Sequence, residues 1–243
     1  MFDQLQNREG EALDFAFHDA GQASTDGRRL VVIGHGITAN KDRAWAVALS
    51  EALAAEGIAS LRFSFSGNGD SEGDFRASCP SKEAVDLSAV LDACSGWEVV
   101  YAGHSLGAVV GVMVAAHDPR IRALVSLAGM VHTADFARRK FGDLTPGVDT
   151  MWDKPECPLS ESFLADMDSV HSVQELGASI AVPWLLIHGT ADTVVPAEES
   201  EAMLEVAAGE AEMVVMDGVD HVFSDAAAAA MAQIVTDWVR TLD

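Results

Sequence analysis

VVYAGHSLGAVVGVMVAAH, Val99–His117, changes its periodicity halfway along. Up to Ala102 it is a continuous apolar run with β-branched and aromatic residues, as expected of a strand buried on both faces. From Leu106 it becomes a series of small apolar residues compatible with a helix. Ser105 stands between Gly103 and Gly107, so the chain turns from strand to helix within a residue or two, with a hydroxyl on the corner. Gly103-His104-Ser105-Leu106-Gly107 matches the G-x-S-x-G pattern in the strand–turn–helix setting that this pattern requires. The glycines have a mechanical reason: without side chains the turn can close and the helix can approach the sheet.

Working outward, short apolar runs alternate with helical stretches, which predicts an α/β fold. Leu13, Phe15 and Phe17 alternate with smaller or polar residues, as an early half-buried strand would. Further strands are expected at Arg29–Gly36, Gly57–Phe65, Trp97–Gly103, Ile121–Gly129, Val182–Gly189 and Ala211–Gly218. A helix capped by Asn40 or Asp42 should run to Glu56 and stop at Gly57. Another should start at Ser81, with Glu83 in its first turn. The last should begin near Ser224 or Asp225, with Met231, Ile234, Val235, Trp238 and Leu242 at helical spacing. Two long stretches interrupt the alternation: the Gly-rich Ser66–Pro80 loop and an insertion at about 130–172. The insertion carries Phe136, Phe141, Met151, Trp152, Phe163, Leu164 and Met167, and such apolar content predicts a lid over an apolar pocket.

At 243 residues the expectation is one domain, 1–243. Hydrophobic residues make up 49% of the chain, enough for a folded core. No run of about 18 uncharged apolar residues occurs, and the polar, acidic start lacks a signal-peptide pattern, so a cytoplasmic protein with no membrane partner is expected. Cys79, Cys94 and Cys157 form neither a disulfide framework nor a metal-binding spacing. The net charge of −23 argues against nucleic acid as a partner. A homodimer is left open.

A serine hydroxyl needs a base, and the base needs an orienting acid. With this elbow the expected chain order is Ser, acid, His. Asp192 follows the strand in LLIHGTADTVVP, and His221 follows the next one in VVMDGVDHVFSD. Both then reach the carboxyl edge of the sheet that carries Ser105. Asp135 is the reserve acid. The oxyanion hole would use two backbone N–H groups, that of Leu106 and that of Ile37 in GHGITANKD. His104, Phe136 and Trp152 are candidates for the substrate pocket. His35 and His188 each precede a glycine and read as structural. The remaining histidines show no metal spacing, so neither a metal nor a cofactor is expected.

GHSLG, HGITANK, HGTADTVVP and GVDH occur in the order found in the α/β-hydrolase superfamily, and the chain resembles its serine hydrolases along nearly all of its length. HGITANKDRAW, LRFSFSGNGDSEG and the insertion are similar to bacterial cinnamoyl/feruloyl esterase-like and serine aminopeptidase-like members. The resemblance implies a mostly parallel eight-stranded sheet with helices on both faces, a short lid, no cofactor, and hydrolysis of a small-molecule carboxylic ester through an acyl-enzyme. Where those esterases often carry Phe after His-Gly, this chain has Ile37, which keeps the amide and changes the pocket wall. The same triad would equally serve a peptidase, amidase or thioesterase, and the fold can also act as a non-catalytic ligand-binding module.

Overall fold

The computed structural model describes residues 2–19, 21 and 28–242. Strands β1 (Leu5–Gln6) and β2 (Ala12–Leu13) pair antiparallel as a small sheet of their own. The main sheet comprises β3 (Phe15–His18), β4 (Arg28–Gly34), β5 (Ala59–Phe63), β6 (Trp97–His104), β7 (Ile121–Leu127), β8 (Trp184–Gly189) and β9 (Ala211–Met216). Its order is β3-β5-β4-β6-β7-β8-β9. β3 runs antiparallel to β5, and every other pair is parallel.

Seven strands therefore form this sheet among the described residues, where eight were expected. The reason lies near the start of the chain. Asn7 Oδ1 accepts the amides of Glu9 and Glu11, which folds the first strand back on its own return. Leu5 and Leu13 are buried in the core cluster that also holds Leu87 and Val90, so this segment covers a face of the sheet instead of extending its edge.

Strand residues alternate between two helical layers, as the two-residue period requires. Val31, Ile33, Val100, Val125 and Ile187 face α1 (Ala44–Ala55) and α7 (Ala226–Thr241), through Trp45, Leu49, Leu53, Met231 and Val235. Leu30, Val32, Tyr101, Leu124 and Leu186 face the other way, against α2 (Pro80–Ala93) and α3 (Leu106–Ala115). With both faces covered, a one-residue slip of a central strand would exchange its two sets of packing partners at once.

Two helix starts differ from expectation. The N-cap of α1 is Arg43, which makes no side-chain capping bond. Asn40 instead accepts the Asp42 amide, and Asp42 pairs with Lys41 and Arg62. α2 begins at Pro80, one residue before Ser81, because proline has no N–H to leave unsatisfied in a first turn. Between β7 and β8 the insertion folds into α4 (Thr133–Phe141), a 3-10 turn at Met151–Asp153 and α5 (Glu161–Val170), followed by a second 3-10 segment at Gln174–Ser179. Phe141 ties these together, its ring meeting those of Phe136, Trp152 and Phe163 at 5.1–6.0 Å. α6 (Ala197–Val206) joins β8 to β9. No helix among the described residues is long and apolar enough to cross a membrane.

Candidate active site

β6 delivers Ser105 to the carboxyl edge of the sheet with φ 54° and ψ −115°. Positive φ is costly for a residue with a Cβ, so the surroundings must enforce it. The Ser105 amide donates to the Leu127 carbonyl at 2.9 Å, and the Ser105 carbonyl accepts from the amides of Ala108 and Met130. A Cβ on Gly103 would lie 2.3 Å from the Gly107 carbonyl oxygen, and one on Gly107 would lie 2.5 Å from that of His35. The corner closes only because both positions are glycine.

The structure brings Ser105, His221 and Asp192 into one hydrogen-bonded chain. Ser105 Oγ donates to His221 Nε2 at 3.1 Å, and His221 Nδ1 donates to Asp192 Oδ2 at 2.7 Å. Asp192 Oδ1 accepts the amides of Val194 and Val195. Burial alone would raise the Asp192 carboxyl, but hydrogen bonds from His188 and His221 outweigh it and hold the group well below the usual carboxylate range. Asp192 is therefore ionised and fixes the imidazole tautomer, which leaves Nε2 free to accept a hydroxyl proton. Asp135, the reserve acid, lies instead on the exposed face of α4, paired with Arg138.

His188 is fully buried, and its Nε2 also lies 3.2 Å from Asp192 Oδ2, while its Nδ1 meets Ser200 Oγ at 2.7 Å. The sequence marks this residue as structural without linking it to Asp192. The available signal was their four-residue separation across a strand end. His104 Nε2 donates to the backbone carbonyl of His221 at 2.8 Å, and its ring lies 5.0 Å from that of Trp45. Burial, reinforced by the proximity of the His221 imidazole, pushes the His104 pKa down to about 3. His35 is likewise lowered to about 4 by burial. Its Nδ1 donates to the Gly36 carbonyl and its Nε2 accepts the Phe65 amide, as its structural reading requires.

The loop after β4 runs against the elbow: a Cβ on Gly36 would lie 2.9 Å from that of Ser105. Leu106 opens α3, so its N–H is one of the first-turn donors without an intrahelical acceptor. Lys154 Nζ donates to the Thr38 carbonyl at 3.2 Å, tying the insertion to this loop. A cavity of about 220 Å³ opens in front of Ser105 and His221, with Ile37, His104, Phe136 and Trp152 in its walls. On the other side of Ile37 and Leu106, a much smaller cavity ends on Asn68, Ser78 and Glu83. Burial and the neighbouring Asp86 raise the Glu83 carboxyl well above its ordinary value. A depression of about 650 Å³ at the amino ends of the strands holds none of the candidate residues. No metal-binding cluster occurs among the described residues.

A model of the prolyl oligopeptidase family matches residues 83–242, well over half of the sequence. The chain belongs to the prolyl oligopeptidase family. Within the wider α/β-hydrolase fold, this family member superposes on Est1E from Butyrivibrio proteoclasticus with ferulic acid bound. The TM-score is 0.87 at 22% identity, covering 98% of each chain. In sequence it is 30% identical over 188 residues to the uncharacterized protein Rv2307c of Mycobacterium tuberculosis, a match that takes in 74% of this chain. It is 27% identical over 164 residues to the mitochondrial palmitoyl-protein thioesterase ABHD10 of Homo sapiens, covering 62% of this chain. The chain spans only 59% and 53% of the length of these two relatives.

Proposed function

We propose that this prolyl oligopeptidase family member is a serine hydrolase that cleaves carboxylic esters. The observation that carries the reading is the hydrogen-bonded chain from Ser105 through His221 to Asp192. Ser105 Oγ attacks the acyl carbon as its proton passes to His221 Nε2, and the amides of Ile37 and Leu106 stabilise the oxyanion. His221 then gives that proton to the leaving alcohol. Water, deprotonated by His221, releases the acid and restores Ser105. His104, Phe136 and Trp152 shape the pocket.

Membership of the prolyl oligopeptidase family favours a second reading, a peptidase or amidase with the same triad. An aminopeptidase would need a carboxylate to hold the substrate ammonium, yet no Asp or Glu among the described residues lines the cavity. Of the acidic residues of the insertion, Asp135 pairs with Arg138 and Asp166 accepts the Ser81 amide. This favours the ester. The similarity to the palmitoyl-protein thioesterase ABHD10 keeps thioesters among the substrates to assay.

The test compares p-nitrophenyl acetate and butyrate with amino-acid p-nitroanilides and an acyl thioester. Turnover of the esters should fall at least about a thousandfold in Ser105→Ala and His221→Ala, as loss of a nucleophile or its base does elsewhere. Undiminished turnover in Ser105→Ala would overturn the assignment. Absence of stoichiometric Ser105 labelling by a fluorophosphonate would favour an inert binding module.

A further inference from the structure

The cavity in front of Ser105 is lined by two cations, Arg43 and Lys154, and by no carboxylate among the described residues. This runs against the composition, which has 38 Asp and Glu for 15 Lys and Arg. Most cations elsewhere sit on carboxylates, among them Lys41 on Asp14 and Asp42, Lys82 on Glu9 and Glu11, and Arg62 on Asp42. Neither Arg43 nor Lys154 forms an ion pair among the described residues. With acidic residues so abundant, a cleft that keeps two cations and excludes carboxylates is prepared for an anion that arrives from outside.

The placement is compatible with that use. Lys154 Nζ spends its bonds on the Thr38 carbonyl and hydroxyl, which fixes the ammonium beside the loop that carries Ile37. An ammonium has three donors, so one remains for a ligand. Arg43 lies exposed just ahead of α1 and offers the planar fork that binds a carboxylate through two hydrogen bonds. Burial pushes the Cys157 thiol up, and Lys154 and Arg43, both near it, oppose that shift. In a cleft with apolar walls such as Phe136 and Trp152, the field of these cations is screened less than on an open surface.

We propose that Arg43 and Lys154 form an anion subsite and that the substrate is a short ester bearing a free carboxylate, which docks there while its acyl carbon meets Ser105. This deepens the ester-hydrolase reading and rests on it. The cavity of about 220 Å³ suits a small ester, since pockets for drug-sized ligands measure roughly 300 Å³ or more. The carboxylate can belong to the acyl part, as in a half-ester of a dicarboxylic acid, or to the alcohol part, as in an acylated hydroxy acid.

Two matched pairs of esters distinguish these sources. Monomethyl succinate against methyl valerate places the charge on the acyl side, and 4-acetoxybenzoate against 4-methylphenyl acetate places it on the alcohol side. In one pair kcat/KM should favour the acid at least about tenfold, as a charge-assisted contact allows. Arg43→Gln should remove most of that preference, Lys154→Met should lower it, and Arg43→Lys should restore part. If the neutral esters are hydrolysed as well as the acids and Arg43→Gln leaves both ratios unchanged, the subsite is overturned while the hydrolase reading stands. If no ester is hydrolysed, the hydrolase reading fails, and calorimetry with monomethyl succinate decides the subsite. Binding that is weakened by Arg43→Gln and absent for methyl valerate supports it. No binding, or binding insensitive to the substitution, overturns it.

Discussion

Ser105 keeps its positive φ because its neighbours leave it no alternative, and one of the closest of these contacts is at Gly107. A methyl group there would lie 2.5 Å from the His35 carbonyl oxygen and 3.0 Å from that of Gly34. These are backbone atoms at the end of a central strand and cannot turn aside. Gly107→Ala should therefore cost about 1–3 kcal/mol, the usual range for overpacking, read as a lower urea midpoint. Ester turnover should fall with it, because the methyl displaces the corner that presents Ser105. A variant as stable as the parent would mean that the strand end yields. The buried histidines carry a different prediction. Unfolded histidines titrate near 6.5, whereas burial holds His104 at about 3 and His35 at about 4. Between these values the unfolded chain binds more protons than the folded one, so their stabilisation is complete above pH 6.5 and is lost as the pH falls. By pH 4 the loss amounts to roughly 3 kcal/mol per histidine. Unfolding free energies measured from pH 7 to pH 4 should fall steeply, and His104→Phe should flatten the slope. An unchanged slope would show that His104 takes up its proton in the folded state.

At the level of elements, α2 carries a pair of carboxylates on its covered face. Asp86 is well partnered, accepting from Asn7 and from the amide and hydroxyl of Ser66. Glu83 accepts only from Ser78, and its second oxygen has no partner in the structure. Its raised pKa means that the folded state holds a proton that the unfolded chain releases above the ordinary carboxylate range. That stabilisation is present at low pH and is lost as the pH rises. Glu83→Gln keeps the acceptor for Ser78 and removes the titration, so its stability relative to the parent should improve between pH 4.5 and pH 8. A constant difference across that range would mean that Glu83 is ionised where it sits. The position of this helix was legible in the sequence, but the cost inside it was not. Glu83 reads as a favourable first-turn acid, since periodicity places a residue on a face without saying what covers it. The strands were legible for the opposite reason: burial on both sides leaves continuous apolar runs such as Leu30–Ile33 and Val99–Ala102. The eighth strand failed because its fate depends on Asn7, which bonds to Asp86 across 79 residues of chain. The positions of Ser105, Asp192 and His221 along the chain could be inferred from strand ends. The contacts of His188 with Asp192, and of Lys154 with Thr38, depend on side-chain placement that no motif encodes.

For the whole molecule, the sequence gives the charge of −23 directly but not the arrangement that makes it tolerable. Salt acts on this charge in two opposing ways: it weakens ion pairs and it screens repulsion among the excess carboxylates. Many of the pairs are exposed, with Arg76–Asp74 at 67% and 62% and Arg138–Asp135 at 68% and 58% side-chain exposure. Such pairs are each worth about 0–1 kcal/mol, so their loss is small. Repulsion among the surplus acids acts over the whole surface, and the screening length shortens from about 10 Å at 0.1 M to about 3 Å at 1 M. Screening of repulsion should win, and the Tm should rise as NaCl goes from 0.02 M to 1 M. A falling Tm would show that the ion pairs outweigh the net charge. The same titration should act with the opposite sign at the cleft. There Arg43 and Lys154 face an incoming carboxylate, and salt weakens that attraction as it relieves the repulsion elsewhere. The preference for an acidic over a neutral ester should therefore shrink over the salt range in which the fold becomes more stable. If both quantities rose together, the preference would have to come from the shape of the cleft and not from its two cations.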